Sequence, residues 1–353
     1  MNKNKKNQQT INVWLDVAPL SNDNKDRGVG MYTRCLIDEL EKIPNLTLEK
    51  KYHRSTTNII HYPYFDLFFP TLPILKKTNT VVTIHDVIPL LFPEKYPVGI
   101  KGNLALHKQK LSLSAVKAVI TDSWSSKKDI GKFLGVNNNK IHVVHLAPNP
   151  DIKKFPANLI KKVIEKYHLP KNYVLYVGDI NYNKNLPALI KAIKYLPEQI
   201  SLVLVGKNFK QQDIPEWHWI ATQMSMSNVV DRITFIDSIN NKSNLDLSAI
   251  YSGAICYVQP SFYEGFGLPV LEAMRALTPV VTGDNSSLKE VGSNKVLYTE
   301  LDAENIAQAI QQVISWPDEK RAEVISQALA WSQTFSWQKT ALETAEVYQK
   351  ILS

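Results

Sequence analysis

The chain has few cysteines and no long apolar run. Only Cys35 and Cys256 occur among its 353 residues, too few for a disulfide framework or a cysteine-based zinc site. No uninterrupted apolar stretch reaches the roughly 18 residues that a helix needs to cross a bilayer. The polar, basic residues 1–10 lack the apolar core of a signal peptide. We therefore expect a cytoplasmic protein.

Glycine is scarce at 13 residues and proline is at an ordinary level with 19, which excludes collagen-like and low-complexity classes. Hydrophobic residues make up 44% and charged residues 21% of the chain, and both values are typical of globular proteins. At about 100–200 residues per domain, the length predicts two domains, each with its own core.

Negative charge is scarce in the first half of the chain. Residues 1–150 carry 21 Lys and Arg against 12 Asp and Glu, a net charge of +9, whereas residues 151–353 carry 20 against 21. This asymmetry indicates an anionic membrane surface or a phosphorylated acceptor as a partner of the first domain, with a solvated lysine-rich surface as the alternative. Because aromatic RNA-binding signatures and zinc-finger spacings are lacking, we do not expect nucleic acid.

Buried β-rich runs alternate with helical patterns through both halves. The strand runs are residues 11–17, 58–62, 81–85, 118–121 and 141–146, then 173–178, 201–206, 233–236, 254–259 and 279–283. Continuous apolar strands that alternate with helices predict parallel sheets covered on both faces. The fold class is therefore α/β, with two Rossmann-like domains.

The proline-rich segment 147–156 separates the two series of strands. We expect domains at residues 1–150 and 151–335, and a final helix within residues 336–353 that lies outside the second series. Ligands of parallel sheets bind beyond the carboxyl ends of the strands. Two such domains facing each other would form a central cleft.

The segment YVQPSFYEGFGLPVLE, residues 257–272, has the most specific pattern. A buried strand leads into a glycine-containing loop, and Pro269 marks the start of a helix, whose N-terminal N–H groups suit phosphate. Glu264 in the loop and Glu272, expected in the first helical turn, would accept hydrogen bonds from hydroxyls. This array suits a sugar, a diphosphate and a ribose. The alternative is that the glycines make a turn and Glu272 only favours the helix N-terminus.

Two further candidates follow strands. Lys184 precedes a helix, where a fixed ammonium in a dry cleft would stabilise new negative charge, and the alternative is a solvated lysine. His85 ends the run 81–85; a lone histidine is usually structural, but a strand end favours a functional one. Asp86 would orient His85 or cap the following turn.

RGVGMYTR, residues 27–34, predicts a glycine-rich loop in which Gly28 and Gly30 open the first helix and close over donor phosphates. It is not a dinucleotide fingerprint, because Thr33 stands in place of the third glycine. The alternative is an ordinary helix start.

Together these segments resemble the retaining glycosyltransferases of family four, which have the GT-B fold. Residues 257–272 look like the family's E-x7-E signature, and the likeness runs in the family's order from about residue 11 to the carboxyl end. It includes YVGDINYNKNLPALIKAI (176–193) and TPVVTGDNSSLKEVG (278–292). RGVGMYTR with VVTIHDVIPL (81–90) is most similar to mannosyltransferase-like members that build bacterial surface polysaccharides.

The resemblance implies transfer of a hexosyl unit, mannose first, from a sugar nucleotide to a hydroxyl of a glycan or lipid-linked acceptor. GDP-mannose is the first expected donor and a UDP-hexose the second, without a metal or other cofactor. It also implies an N-terminal domain that binds the acceptor and a C-terminal domain that binds the donor. The last helix would cross back to the N-terminal domain, and the enzyme would be peripheral on the inner face of the membrane.

The resemblance also implies roles for single residues. Glu264 would hold hydroxyls of the donor sugar, Glu272 the ribose and Lys184 the diphosphate, while His85 would contact the sugar at the reacting centre. Backbone N–H groups would come from Phe266, Gly267 and Leu268. Asn183 and Asp179 stand where many members have arginine, which makes the predicted phosphate site less positive, with Lys207 as a candidate helper.

Three alternatives remain open from the sequence. A non-hydrolysing sugar-nucleotide epimerase shares the two-domain fold and needs no acceptor. A binding protein without turnover would fit the missing arginines, although Glu264, Lys184, His85 and Glu272 all oppose it. A basic nucleic-acid binder rests on the charge asymmetry alone.

Overall fold

The computed structural model describes residues 10–25, 27–239 and 245–353. The chain divides into two compact units, which we call unit 1 (Met1–Leu146 and Ser336–Ser353) and unit 2 (Ala147–Phe335). Most of the polar start of the chain, residues 1–9, lies outside the described residues, as does Asp26 in the loop before the first helix. No helix in the described ranges is both long and apolar enough to cross a bilayer.

Unit 1 contains six parallel strands. They are β1 (Ile11–Leu15), β2 (Leu46–Glu49), β3 (Ile59–Tyr62), β4 (Asn79–Thr83), β5 (Ala118–Thr121) and β6 (Ile141–Val143). Their order across the sheet is β2-β1-β3-β4-β5-β6. The strand order reverses between β1 and β3, so the carboxyl ends of these strands flank a crevice of the kind that binds ligands.

Within residues 10–146, the described α-helices of unit 1 lie between its strands. They are α1 (Gly28–Leu40), α2 (Ile88–Leu91), α3 (Gly99–Ser114) and α4 (Trp124–Asp129), which continues into a π-helical turn at Ile130–Leu134. Ser123 caps α4, because its hydroxyl accepts a hydrogen bond from the Ser126 N–H at 3.0 Å.

Unit 2 repeats the architecture with six more parallel strands. They are β7 (Tyr173–Val177), β8 (Ser201–Val205), β9 (Ile233–Ile236), β10 (Cys256–Gln259), β11 (Val280–Thr282) and β12 (Leu297–Tyr298). Their order is β12-β11-β10-β7-β8-β9, so the reversal lies between β7 and β10. Two parallel α/β sheets confirm the predicted fold class.

Eight helices of unit 2 connect and follow its strands. They are α5 (Ala157–Lys166), α6 (Leu186–Ile193), α7 (Pro215–Ser227), α8 (Leu245–Gly253), α9 (Leu268–Arg275), α10 (Ser286–Gly292), α11 (Ala303–Ile314) and α12 (Asp318–Ser332). The buried faces of α6 and α11 share one apolar core with the sheet, through residues such as Ile190, Leu204 and Ile310. That core holds the strand ends in place.

The last helix, α13 (Trp337–Leu352), belongs to unit 1 and packs against α1. The hydroxyl of Tyr348 lies 2.6 Å from Nδ1 of His61 on β3. The Nε2 atom of His61 lies 2.8 Å from the hydroxyl of Thr83 on β4. All three side chains are buried, so a polar network ties the end of the chain to the middle of the first sheet.

Candidate functional site

Lys184 and Glu264 meet at the reversal point of the second sheet. Lys184 follows β7 in a short 3-10 turn, and Glu264 follows the adjacent strand β10. The Lys184 ammonium donates to both carboxylate oxygens of Glu264, at 2.7 and 2.8 Å. Glu264 is buried, with 7% of the residue exposed, and the Lys184 side chain is 17% exposed, so this ion pair is partly accessible in the crevice where parallel sheets bind ligands. A lysine has three N–H donors, and two are directed at Glu264.

Gln259, the last residue of β10, and Ser261, two residues later, also donate hydrogen bonds to Glu264. Gln259 Nε2 donates to Oε1 of Glu264 at 2.8 Å, and the Ser261 hydroxyl donates to the same oxygen at 2.6 Å. Sequence reasoning missed both residues, although they lie only five and three positions before Glu264. These hydrogen bonds satisfy a buried charge, which would otherwise be costly.

The start of α10 fixes the backbone around Glu264. The Glu264 N–H donates to the Ser286 hydroxyl at 3.0 Å, and the Ser287 hydroxyl donates to the Glu264 carbonyl at 2.9 Å. Asn285 Nδ2 donates to the Ser261 carbonyl at 3.1 Å. The DNSSLKE segment therefore stabilises the loop that carries Glu264.

Asn183 has a structural contact that the sequence did not predict. It is 2% exposed, and its Nδ2 donates to the Tyr263 carbonyl at 2.9 Å while its own carbonyl accepts from the Phe262 N–H at 2.8 Å. Asp179 accepts hydrogen bonds from the Ile180 N–H and from Asn208 Nδ2. The two hydrogen bonds of Asn183 therefore link the turn that carries Lys184 to the loop that carries Glu264.

Glu272 is the fifth residue of α9 and lies in its second turn, which corrects the expected position in the first turn. The helix already begins at Leu268, one residue before Pro269, and it directly follows Gly267, whose φ of +104° is a conformation that favours glycine. Glu272 is buried and accepts a hydrogen bond from the Tyr251 hydroxyl at 3.0 Å. Burial raises the pKa of Glu272, and the hydrogen bonds from Tyr251 and from the Asn149 backbone only partly offset this.

Both carboxylates act on the pKa of one buried tyrosine, Tyr257. Burial raises the pKa of Tyr257 well above its usual range, and Tyr176, Glu264 and Glu272 each raise it further. The Tyr257 ring also packs against Tyr251, with ring centroids 5.8 Å apart. The structure therefore brings Glu264 and Glu272 into the neighbourhood of one side chain.

The loop between the carboxylates is held by packing. The Phe266 ring is buried, and its centroid lies 6.1 Å from that of Phe335. A Cβ atom on Gly267 would lie 3.2 Å from Leu288. Gly267 and Leu268 stand where α9 begins, and the first N–H groups of a helix have no partner within the helix.

In unit 1, His85 is paired with Asp122. His85 lies two residues beyond β4 and Asp122 one residue beyond the adjacent β5, so both follow neighbouring strand ends. His85 Nδ1 and Asp122 Oδ2 are 2.7 Å apart. The other ring nitrogen, Nε2, is buried and makes no hydrogen bond of good geometry in the described part of the chain, although the Pro63 carbonyl also favours the protonated ring. The edge of the Tyr32 ring packs against the imidazole, with centroids 4.9 Å apart. The sequence analysis did not single out Asp122.

The pKa of His85 is raised, mainly through the charge and the hydrogen bond of Asp122. Burial lowers the pKa of His85, but the charge and hydrogen bond of Asp122, then Asp86 and the Pro63 carbonyl, outweigh burial and leave the pKa raised. Asp86 Oδ1 accepts from the Ile88 N–H at 2.9 Å. Of the two roles left open for Asp86, the structure shows the cap of the next turn, and the carboxylate on Nδ1 is that of Asp122.

Gly28 and Gly30 have different surroundings at the start of α1. A Cβ atom on Gly30 would lie 2.4 Å from the carbonyl oxygens of Asn24 and Lys25, whereas one on Gly28 would have no atom of the described residues within 4 Å. Gly30 is therefore required by the packing of the preceding loop. Gly28 presents open backbone that a ligand could approach.

The described ranges contain no group of three or more His, Cys, Asp or Glu side chains placed to hold a metal ion. A metal-independent reaction remains a prediction from the resemblance.

Known proteins share both the sequence patterns and the fold described above. Residues 160–331 match the family model described as glycosyl transferases group 1. The O-antigen chain mannosyltransferase B of Escherichia coli is 30% identical over 286 residues, which cover 78% of this chain and 71% of that protein. The O-antigen chain mannosyltransferase RfbU of Salmonella typhimurium is 31% identical over 250 residues, covering 70% of this chain and 64% of RfbU.

Among solved structures, Anabaena HepE in complex with UDP-glucose has a TM-score of 0.71 over 96% of this chain and 99% of HepE. The two sequences are 18% identical, so the likeness shows a shared fold.

Proposed function

This chain belongs to the group 1 glycosyl transferases, and from that membership we propose that it moves a mannosyl unit from GDP-mannose to a hydroxyl acceptor, with a UDP-hexose as the second candidate donor. As a member of this family it is a hexosyltransferase that depends on a sugar nucleotide. The observation that carries the proposal is the ion pair of Lys184 with the buried Glu264 at the reversal point of the second sheet.

We propose that Lys184 binds the donor diphosphate and Glu264 the sugar hydroxyls. Two N–H groups of Lys184 are directed at Glu264, which leaves one for a phosphate oxygen. The same ammonium would stabilise the charge that develops on the diphosphate as the glycosidic bond breaks. Because Glu264 is held by Gln259 and Ser261, its carboxylate is fixed before the donor arrives.

In the proposed reaction, the bond from the anomeric carbon to the leaving phosphate oxygen breaks, and the acceptor oxygen bonds to the same carbon with retention. The acceptor's proton passes to the leaving phosphate, so no side chain needs to act as a general base. His85 would donate or accept a hydrogen bond at the sugar through Nε2, which Asp122 orients by holding Nδ1.

The remaining donor contacts are also proposals. Glu272 would accept hydrogen bonds from the ribose, in place of or together with that from Tyr251. Backbone N–H groups at Phe266, Gly267 and Leu268 would bind the donor at the start of α9. Gly28 and Gly30 would bring the start of α1 close to the donor phosphates.

The two mannosyltransferase relatives guide the proposed acceptor, because both are O-antigen chain mannosyltransferases. We propose a glycan or lipid-linked acceptor in surface polysaccharide synthesis, and a location in the cytoplasm at the inner face of the membrane. The same relatives favour transfer over the epimerase that shares the fold.

Glu264→Gln tests the proposal. It keeps the shape of the side chain but removes the charge, and we expect turnover with GDP-mannose and a mannosyl acceptor to fall about 100-fold or more. The exposed Glu319→Gln on α12 is the matched control and should retain wild-type turnover. Full activity of folded Glu264→Gln would overturn the role of Glu264.

The donor is tested separately with purified wild-type protein. In thermal-shift titration with GDP, UDP and their sugars, the ligand that binds most tightly gives the largest stabilisation at a given concentration, and we expect this to be GDP-mannose. A ligand at 100 times its Kd adds about 2.7 kcal/mol to the free energy of unfolding. Conversion of the free donor to an epimer without any acceptor would instead establish the epimerase.

A further inference from the structure

Helix α3 exposes a stripe of large apolar side chains. Ile100, Leu104 and Leu111 are 82%, 60% and 62% exposed. At about 100° per residue, these three positions fall within about 40° of one another around the helix axis. His107 and Ser114 complete the same strip of surface, which is therefore mainly but not wholly apolar. We call this surface the α3 stripe.

The opposite side of α3 is anchored to unit 1. Gln109, about 180° from Ile100 around the axis, is buried and donates to the Asp66 carbonyl at 2.6 Å and to the Thr71 hydroxyl at 3.0 Å. Leu113 on this inner side belongs to the apolar core of the unit. The helix is thus fixed by one face, and the α3 stripe points away from the body of unit 1.

Lysines border the α3 stripe on both sides. Lys101 and Lys108 lie about 80–100° to one side of Ile100, and Lys110 lies about 80° to the other. All three are exposed. Residues 95–121 contain five lysines and neither Asp nor Glu, so no acidic side chain of this stretch offsets the charge.

We propose that the α3 stripe is a docking surface for an anionic phospholipid bilayer, with α3 lying in the plane of the interface. An exposed apolar stripe with lysines along both borders is the pattern of an interfacial helix. The apolar side chains enter the boundary between headgroups and acyl chains, while the lysine stems lie along it and place their ammonium groups among the phosphates. This deepens the membrane location in the proposed function.

Packing limits how far this surface extends beyond α3. By its composition the apolar segment 90–100 would either dip into the interface or pack as a loop. Leu90 and Leu91 pack against the core of unit 1, and Ile100 is the member of that segment in the stripe. Lys127, which the sequence groups with the other lysines, donates to the Ile141 carbonyl at 2.8 Å. The membrane contact therefore centres on α3.

Vesicle sedimentation with the full chain tests the proposal, using phosphatidylcholine alone and phosphatidylcholine with about 30 mol% phosphatidylglycerol. We expect wild-type protein to bind the anionic vesicles, to bind neutral vesicles weakly, and to dissociate at high salt, because exposed charges are screened within about 8 Å at physiological ionic strength. Protein that stays in the supernatant with anionic vesicles at low salt would overturn the proposal.

Two variants separate the apolar and charged contributions. Leu104→Ser with Leu111→Ser should lower the partition coefficient by about tenfold or more on anionic vesicles, from the apolar burial that it removes. Lys101→Gln with Lys108→Gln and Lys110→Gln should lower it to the level of neutral vesicles and abolish the salt dependence. These side chains are exposed, so both variants should fold.

Matched substitutions on unit 2 control for general surface effects. Met226→Ser with Val230→Ser removes two exposed apolar side chains there, and Lys162→Gln with Lys171→Gln and Lys194→Gln removes three exposed lysines. Both controls should bind vesicles as the wild type does. Equal losses in the α3 variants and these controls would contradict a specific surface.

Turnover and self-association separate membrane docking from catalysis and from dimer formation. On a water-soluble acceptor the α3 variants should keep wild-type turnover, and vesicle binding needs no sugar nucleotide, so the membrane surface and the proposed transfer can fail independently. By sedimentation equilibrium, we expect no wild-type dimer that forms through the α3 stripe. A dimer of that kind would dissociate in the variant Leu104→Ser with Leu111→Ser. Such a dimer, with unchanged vesicle binding, would make the stripe an interface between copies and overturn the proposal.

Discussion

At the scale of single residues, each unit holds a nitrogen-bearing side chain in place with a buried carboxylate. Glu264 receives two hydrogen bonds from Lys184, and Asp122 lies 2.7 Å from the Nδ1 atom of His85. The carboxylate fixes the direction of the remaining N–H group of Lys184 in one pair and of Nε2 of His85 in the other. In the roles that we propose for Lys184 and His85, such a group would not have to be reoriented as the substrate binds.

Asp122→Asn should change the pH profile as well as the rate. An asparagine can still accept a hydrogen bond from Nδ1, but the charge that raises the pKa of His85 is lost, so this pKa should fall. We expect kcat to drop about tenfold or more, since hydrogen bonds to charged groups contribute about 1.5–3 kcal/mol. NMR titration of His85 and the pH dependence of kcat measure both effects.

Asp86→Asn is the control, because Asp86 caps the turn at Ile88. It should lower the pKa of His85 less than Asp122→Asn does, since Asp122 contributes more to the raised value. If Asp122→Asn left both the His85 titration and kcat unchanged, Asp122 would have no positioning role.

Lys184→Ala should weaken binding of the nucleoside diphosphate far more than binding of the nucleoside. The Lys184 ammonium lies beside Glu264, where it would form a charge-assisted hydrogen bond with a phosphate. A ribose carries no charge and would gain less from this contact. Calorimetry with GDP and guanosine, or UDP and uridine, measures the difference. Lys210→Ala, an exposed lysine of unit 2, should alter neither affinity. Equal losses for diphosphate and nucleoside would contradict a phosphate role.

At the scale of elements, the start of α1 separates a packing glycine from an open one. The Gly30 N–H donates to the Asn24 carbonyl at 3.1 Å, so the loop lies directly on the helix start. A methyl group at Gly30 would meet two backbone oxygens at 2.4 Å, and neither can move like a flexible side chain. The same loop leaves Gly28 uncovered, and the two glycines therefore have separable roles.

Gly30→Ala should destabilise the protein by about 1–3 kcal/mol, the usual cost of overpacking. Gly28→Ala should leave the free energy of unfolding nearly unchanged, because its Cβ has open space. If Gly28 does contact donor phosphates, Gly28→Ala should still weaken donor binding. Urea unfolding and donor titration of both variants measure this, and equal stability losses would refute the distinction.

The strands that the sequence missed are both at sheet edges. β2 and β12 are four and two residues long, and each pairs with a neighbour on one side only. Such strands need no long apolar run, whereas interior strands such as β5 are buried on both faces and were predicted. Asp122 was missed for another reason, because its partner His85 is 37 positions away and only the pairing of β4 with β5 brings them together.

At the scale of the whole molecule, a buried neutral histidine makes unit 1 sensitive to acid. Burial, together with a smaller contribution from the positive charge of His85, lowers the pKa of His61 to about 3. An unfolded histidine has a pKa of about 6.5. Between these values the unfolded state binds the proton and the folded state does not, so stability falls as the pH falls.

His61 should therefore contribute a loss of about 2 kcal/mol in the free energy of unfolding between about pH 7 and about pH 5. His61→Gln should be less stable at neutral pH, because it disturbs the contacts with Tyr348 and Thr83, but its stability should depend less steeply on pH. Urea unfolding at both pH values measures the slope. His107→Gln controls for the loss of an exposed histidine, and a wild-type slope in His61→Gln would exclude the proposed origin.

The place of α13 in unit 1 has a consequence for synthesis on the ribosome. Residues 1–146 emerge first, but Tyr348 can reach His61 only after the last turn of α13 has been made. Residues 147–335, which are contiguous, have all emerged before then. Unit 2 is therefore the first of the two units to be complete during translation. Until α13 has been made, the nascent unit 1 leaves part of its polar interior uncovered, which makes it a substrate for chaperones.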